Sequence, residues 1–257
     1  MIKLPEKKSA RSALLVAAIV LIVAIAVGAT LLIMSLSERR ADKSTLDRFI
    51  EQYGIITPEE RDGYDVYVYQ SDSIDVHHGF ILYPDAMTDP DVYAPLATLM
   101  AKKGITVFVI DMPLNQPTLD KDAADRVIAE NPNVEEWYIG GHGKGGMAAA
   151  DYVADDADMI DGIVFLASYS TADLSSFDIR SYSMYGSEDG IMDIDEYHEC
   201  KENLPEGSEE YKIVGCNYSG FAIYEKRSGD GDPAQNMDNI RQVLITAQRV
   251  STFILGE

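Results

Sequence analysis

The ten residues W-Y-I-G-G-H-G-K-G-G, from Trp137 to Gly146, decide the fold of this chain. The pattern G-x-S-x-G ends a strand and opens a helix, so that its serine is held on a tight and strained turn above a sheet. Here Gly141 to Gly145 read G-H-G-K-G, which places Gly143 where that serine belongs. Glycine tolerates the unusual φ/ψ of such a turn, but it has no oxygen that attacks a carbonyl group. The sequence therefore predicts the scaffold of a nucleophile turn with the nucleophile missing.

The chain has 257 residues, of which 46% are hydrophobic, and is long enough for one α/β domain plus a short element at one end. That element is the run from 13 to 34, which carries no charge. As a helix it would be about 33 Å long, enough to cross a bilayer. It exceeds the apolar core of about 7–15 residues in a signal peptide, the competing interpretation, and no A-x-A site closes it. We therefore predict a basic tail at 1–12 and an uncleaved anchor at 13–36.

Basic residues flank this span on both sides: Lys3, Lys7, Lys8 and Arg11 before it, and Arg39, Arg40, Lys43 and Arg48 after it. The cluster at the extreme N-terminus favours a cytoplasmic N-terminus and an extracytoplasmic soluble domain. The sequence thus predicts a single-pass protein of the cell membrane.

The rest of the chain is strongly acidic. The net charge is −22 overall, while residues 1–40 carry six basic and two acidic side chains, which leaves −26 for the remainder. Such a surface repels nucleic acid and anionic lipid headgroups, so we predict no nucleic-acid partner. Cys200 and Cys216 are the only cysteines, and their pairing is not deducible from the sequence. No C-x-x-C or H-E-x-x-H spacing occurs, so we predict neither a metal nor a cofactor.

Hydrophobic patterns after residue 60 alternate between strands and helices. Predicted strands cover 64–69, 79–83, 105–110, 134–140, 163–167, 181–185 and 211–214, and predicted helices cover 91–103, 123–131, 144–154, 194–202 and 234–253. This alternation predicts a doubly wound, mostly parallel sheet in a domain from 61 to 257. The polar segment 37–60, with a weakly helical patch at 46–53, is predicted to be a stalk.

Sites in such sheets gather at the carboxyl ends of the strands. The segments there are L-Y-P-D-A at 82–86, G-G-H-G-K-G-G at 140–146, L-A-S-Y at 166–169, Y-G-S-E-D-G at 185–190 and G-C-N-Y at 215–218. In this order they resemble the α/β-hydrolase superfamily, in particular its small dienelactone-hydrolase-like branch, from about Gly79 to the C-terminus. Members of that branch carry Y-P-G-G, G-G-H-S-x-G-G, L-A-S-Y, Y-G-x-x-D-G and G-N-H at these places.

The resemblance implies an ester-hydrolase site in which Asp189 is the triad acid, Gly143 stands for the serine and Tyr218 stands for the histidine. A tyrosine, with a pKa of about 10, is a poor base at neutral pH. We therefore predict that serine hydrolysis is absent. The oxyanion hole is predicted to survive as the backbone N–H of Lys144 with that of Asp85 or Ala86, which attracts a carbonyl oxygen or a small anion.

Replacement catalytic groups are few. Of the four histidines only His198 follows Asp189, as the base does in this fold, and it lies in a predicted helix. His77 and His78 enter an early strand, and His142 belongs to the turn itself. Other nucleophiles considered are Ser168 and Ser170, in the segment that family members also carry, Ser219 beside the vacant base position, and Cys216, which has no histidine partner to lower its pKa.

Three function classes follow. The first is a membrane-anchored pseudo-hydrolase that binds an unknown small molecule or protein. The second is an active esterase-like hydrolase with a non-standard catalytic set near Asp189, Tyr218 and Ser219. The third is a nucleotide-binding oxidoreductase, since Gly141, Gly143 and Gly146 fit G-x-G-x-x-G, although the following strand ends in Ser-Tyr rather than in an acid.

Overall fold

A computed structural model describes residues 7–60, 66–71, 77–155 and 158–257. The chain divides into two compact units, Met1–Glu38 and Arg39–Glu257. The first two residues of the predicted strand 64–69 lie outside the described residues.

The first unit contains one long helix, α1, which covers Lys7–Ser37. Its stretch Ser12–Thr30 has a mean hydropathy of 2.9 and is long and apolar enough to cross a membrane. None of that stretch is buried within the protein. This helix is therefore a candidate membrane span, at the position that the sequence predicts.

The second unit is built on one sheet, whose described strands are β1 (Glu59–Glu60), β2 (Val66–Tyr69), β3 (His78–Tyr83), β4 (Ile105–Ile110), β5 (Glu136–His142), β6 (Gly162–Leu166), β7 (Arg180–Gly186) and β8 (Glu209–Ile213). Their order is β1-β2-β4-β3-β5-β6-β7-β8. The pairs β1–β2 and β2–β4 are antiparallel, and the others are parallel. The predicted doubly wound, mostly parallel sheet is confirmed. The short strand β1 was not among the predicted strands.

Helices cover both faces of the sheet: α2 (Lys43–Tyr53), α3 (Ala94–Ala101), α4 (Ala123–Glu130), α5 (Lys144–Asp155), α6 (Ile194–Glu199) and α7 (Asn239–Leu255). One apolar core lies between the sheet and α3 with α7, and a second lies between the sheet and α4 with α5. The last helix begins at Asn239 rather than at the predicted 234, because the Asp238 side chain accepts a hydrogen bond from the backbone N–H of Arg241 and caps it there.

We predicted that the segment 37–60 is a stalk, but from residue 39 onward it lies inside the second unit. Arg39 donates its backbone N–H to Met87 O (2.8 Å) and accepts from Asp89 N (2.9 Å). The Phe49 side chain on α2 is fully buried in the core shared with α3 and α7. The folded unit therefore begins at Arg39 and not near residue 61, since an amphipathic helix of 11 residues contributes its apolar face to the core.

Candidate functional site

Gly143 forms the turn between a strand and a helix. β5 ends at His142, α5 begins at Lys144, and Gly143 between them has φ +51°. Its backbone N–H donates to Leu166 O on the neighbouring strand β6 (3.0 Å). This strand–turn–helix is the backbone geometry that holds a nucleophile above the sheet.

The space where a nucleophile would stand is filled by two side chains. A Cβ atom built on Gly143 would lie 1.8 Å from the hydroxyl oxygen of Tyr218 and 2.6 Å from Oδ1 of Asp85. Burial, together with the neighbouring Asp85 carboxylate, raises the pKa of Tyr218 well above its usual value. The phenol is therefore neutral at physiological pH and occupies the space without being able to accept a proton there.

The predicted oxyanion hole holds a carboxylate of the chain itself. Oδ1 of Asp85 accepts hydrogen bonds from the backbone N–H groups of Lys144 (3.1 Å) and Ala86 (2.8 Å). The Asp85 side chain is 2% exposed, and it lies at the N-terminus of α5, where the helix dipole favours an anion. The two donors that would bind a substrate oxygen are thus occupied.

Two arginines balance this carboxylate. Oδ2 of Asp85 lies 3.0 Å from Nη1 of Arg227 and 3.8 Å from Nη1 of Arg39. The same nitrogen of Arg39 donates to Ala86 O (2.5 Å) and to Oγ1 of Thr88 (2.9 Å). Sequence reasoning missed both arginines as site residues: it counted Arg39 among the charges flanking the span and did not single out Arg227. No local pattern marks either of them.

Asp189, the predicted triad acid, has hydrogen bonds to only one of its two carboxylate oxygens among the described residues. Oδ1 accepts from the backbone N–H groups of Ile191 (2.8 Å) and Met192 (2.9 Å). Oδ2 is buried and has no hydrogen-bond partner among the described residues. Burial raises the pKa of this carboxyl group. In a working triad a histidine donates to the acid, so the unpaired oxygen is consistent with a missing base.

His198 does not take that place. It is exposed on α6, and its ring packs edge-on against Tyr197, with the centroids 5.4 Å apart. Oδ2 of Asp189 has no hydrogen-bond partner among the described residues, and Oδ1 accepts only from backbone N–H groups. His198 therefore makes no hydrogen bond to Asp189.

His142 is buried beside the turn. Its Nδ1 lies 2.9 Å from the Tyr93 hydroxyl, which also accepts from the Asp85 backbone N–H. Burial lowers the pKa of His142 to about 4. The ring packs on Tyr218, with the centroids 4.3 Å apart, and so supports the phenol that fills the nucleophile position.

The other nucleophiles considered have structural partners. Ser168 Oγ donates to Gly143 O (2.7 Å), and Ser219 Oγ donates to Oδ2 of Asp230 (2.7 Å). Ser170 Oγ donates to Ala172 O (2.7 Å). Burial raises the pKa of the Cys216 thiol to about 12, which keeps it protonated. Among the described residues no imidazole is hydrogen-bonded to any of these groups. Both cysteines are free thiols.

An open cavity of about 400 Å³ lies above these groups, within the range of about 300–1,000 Å³ typical of small-molecule sites. Its lining comprises Arg39, Asp85, Ala86, Met87, Gly143, Lys144, Met147, Ala167, Ser168, Tyr169, Ile191, Met192, Asp193, Tyr218 and Arg227. Two of these, Met87 (φ +59°) and Ala167 (φ +45°), are non-glycine residues in the left-handed region. Such backbone costs free energy and concentrates at functional sites. Over the described ranges, no group of three metal-ligating side chains is present.

A sequence model of the α/β hydrolase family matches residues 79–242, which is more than half of the chain. The chain belongs to this family. No curated protein matches the sequence.

Solved structures with the same fold include a predicted CIB-like hydrolase from Thermoplasma acidophilum, at 16% identity and a TM-score of 0.54, over 76% of this chain and 96% of that one. They also include Est1E from Butyrivibrio proteoclasticus with bound ferulic acid, at 11% identity and a TM-score of 0.55, over 76% and 98% of the two chains. The family match favours the hydrolase resemblance over the dinucleotide-binding alternative, and at these identities the likeness to solved structures establishes the fold alone.

Proposed function

We propose that this chain is a membrane-anchored member of the α/β hydrolase family that has lost serine hydrolysis and acts by binding a ligand or a partner. The observation that carries the proposal is the filled nucleophile position. Gly143 offers no hydroxyl, and the Tyr218 hydroxyl and the Asp85 carboxylate stand in the space that a serine would use.

The groups at the oxyanion hole and at the acid position also support the loss of serine hydrolysis. The donors of the oxyanion hole are taken by Asp85, and the acid Asp189 has an unpaired buried oxygen instead of a histidine. Nucleophile, base and oxyanion hole act as one unit in this chemistry, so the loss of all three removes the reaction rather than slowing it.

The cavity itself is retained. It keeps a volume suited to a small molecule and strained backbone at Met87 and Ala167. Strained residues persist only where the surrounding structure holds them, so their presence around the cavity favours a binding role. The apolar helix α1 supports a membrane anchor, and the basic residues before it support an extracytoplasmic folded unit.

The test compares the full chain in nanodiscs with the triple variant Gly143→Ser, Tyr218→His, Asp85→Gly. The third change is needed because Asp85 occupies both oxyanion donors. We expect the parent to hydrolyse no p-nitrophenyl butyrate and to react with no fluorophosphonate, and we expect the triple variant to be labelled at position 143.

The matched control carries Gly143→Ala in place of Gly143→Ser and keeps the other two changes, so it lacks only the hydroxyl group. Labelling of this control would place the reaction at another residue. Turnover or labelling of the purified parent, mapped to one side chain, would overturn the proposal in favour of an esterase-like hydrolase with a non-standard catalytic set.

A further inference from the structure

The cavity carries a positive charge that the rest of the folded unit does not share. Its lining has three basic residues, Arg39, Lys144 and Arg227, against two acidic ones, Asp85 and Asp193, a formal balance of +1. The whole chain, in contrast, has a net charge of −22. In a protein this acidic, a local excess of positive charge in a concave site is a specific feature of that site.

The excess comes from two guanidinium groups that converge on one carboxylate. Both approach Oδ2 of Asp85 through Nη1, and their side chains are only 26% (Arg227) and 22% (Arg39) exposed. Among the described residues, the hydrogen bonds that the two guanidinium groups donate all come from Nη1. Each group thus has further N–H donors at the cavity, and together the groups carry one more charge than Asp85 neutralises.

The wall beside these donors is apolar. Three methionines, Met87, Met147 and Met192, line it together with Ile191. Methionine side chains are flexible and polarisable, and they adapt to unbranched apolar groups of varied length. Since Asp85 holds the backbone N–H groups, an incoming anion would bind the outer guanidinium nitrogens, with the Lys144 ammonium group also on the cavity lining.

We propose that this pocket binds an organic anion, a carboxylate on an apolar chain, with the carboxylate on Arg39 and Arg227 and the chain along the methionine wall. This inference rests on the proposed function and adds the chemical class of the ligand. An arginine fork matches a carboxylate through two parallel hydrogen bonds, which a neutral amide of the same shape does not reproduce.

The test measures binding of 6,6,6-trifluorohexanoate and 6,6,6-trifluorohexanamide by fluorine NMR, with the full chain in zwitterionic nanodiscs and empty nanodiscs as the blank. We expect the carboxylate to bind at least about tenfold more tightly than the amide. Arg227→Gln should weaken carboxylate binding about tenfold, and Arg227→Lys, which keeps the charge, should weaken it less. Acetate, which lacks the chain, should bind more weakly than the longer carboxylate.

Arg249→Gln is the matched control, because Arg249 also lies over a tyrosine ring (Tyr211, 4.2 Å), as Arg227 lies over Tyr218 (4.9 Å), but it is not part of the cavity lining. Equal binding of amide and carboxylate, or equal effects of the two glutamine variants, would overturn the anion assignment while leaving a ligand-binding pocket. Binding of neither probe by the parent, provided that it melts cooperatively, would overturn the ligand class, whereas hydrolysis by the parent would overturn the proposed function itself.

Discussion

The hydroxyl oxygen of Tyr218 lies 1.8 Å from the position of a Cβ atom on Gly143. The Tyr218 hydroxyl and a side chain at position 143 would therefore compete for the same space, and the phenol fits only because residue 143 is a glycine. This relationship makes the vacant nucleophile position a packed part of the core rather than a hole.

The dependence predicts a coupling energy. We expect Gly143→Ala to destabilise the protein by about 2–4 kcal/mol, from the clash and from the left-handed φ of the turn. In a Tyr218→Phe background the cost should fall by about 1–2 kcal/mol, because the hydroxyl oxygen is gone. A double-mutant cycle of denaturation free energies measures the difference. Strictly additive effects would mean that the two side chains do not compete for this space.

Burial of His142 predicts a pH dependence of stability. Its pKa is about 4 in the folded protein against an ordinary value of 6.5, so the unfolded chain takes up a proton first as the pH falls. The neutral His142 ring therefore makes its full contribution to the free energy of unfolding above about pH 6.5, and this contribution is lost progressively as the pH falls toward 4. We expect a loss of roughly 2 kcal/mol between pH 6.5 and 5 that His142→Gln removes. An unchanged slope in the variant would assign the loss to other groups.

The unpaired oxygen of Asp189 predicts that an amide is tolerated there. Burial raises the pKa of Asp189, so the ionised form is unfavourable in the folded state at neutral pH, and this penalty disappears as the pH falls below the ordinary value of 3.8. Asp189→Asn keeps an oxygen for the Ile191 and Met192 N–H groups and should raise stability at pH 7 by up to about 1 kcal/mol, with a smaller gain at pH 4.5. A clear loss of stability at pH 7 would show that the charge has a partner.

The position of α2 predicts that residues before 61 are needed for folding. Phe49 is fully buried, and Phe49→Ala should cost about 3–5 kcal/mol in thermal or denaturant unfolding. The neighbouring Ile50 is 38% exposed and serves as the control, with an expected cost below about 1 kcal/mol for Ile50→Ala. Comparable losses for both would place this helix differently.

The sequence predicts the sheet well because its strands are short apolar runs bounded by turn residues. It also predicts the turn at Gly143, because the spacing of the glycines is typical of that strand–turn–helix. It predicts poorly what depends on contacts between distant segments. Arg227 meets Asp85 across 142 positions, and no local pattern marks that pair. Likewise the spacing of the apolar residues in α2 indicates a short amphipathic helix, but only the structure shows which core receives Phe49.

The hydrogen bonds of residues 39–42 limit where a protease can separate the folded unit from the N-terminal helix without damaging it. Arg39 is bonded to the loop that carries Met87, and Asp42 N donates to Ile223 O (3.1 Å) on the other side. This segment is the start of the folded unit, which begins at Arg39. A protease that sheds the domain must therefore cut before Arg39, and a cut even one residue later removes a guanidinium group from the cavity wall.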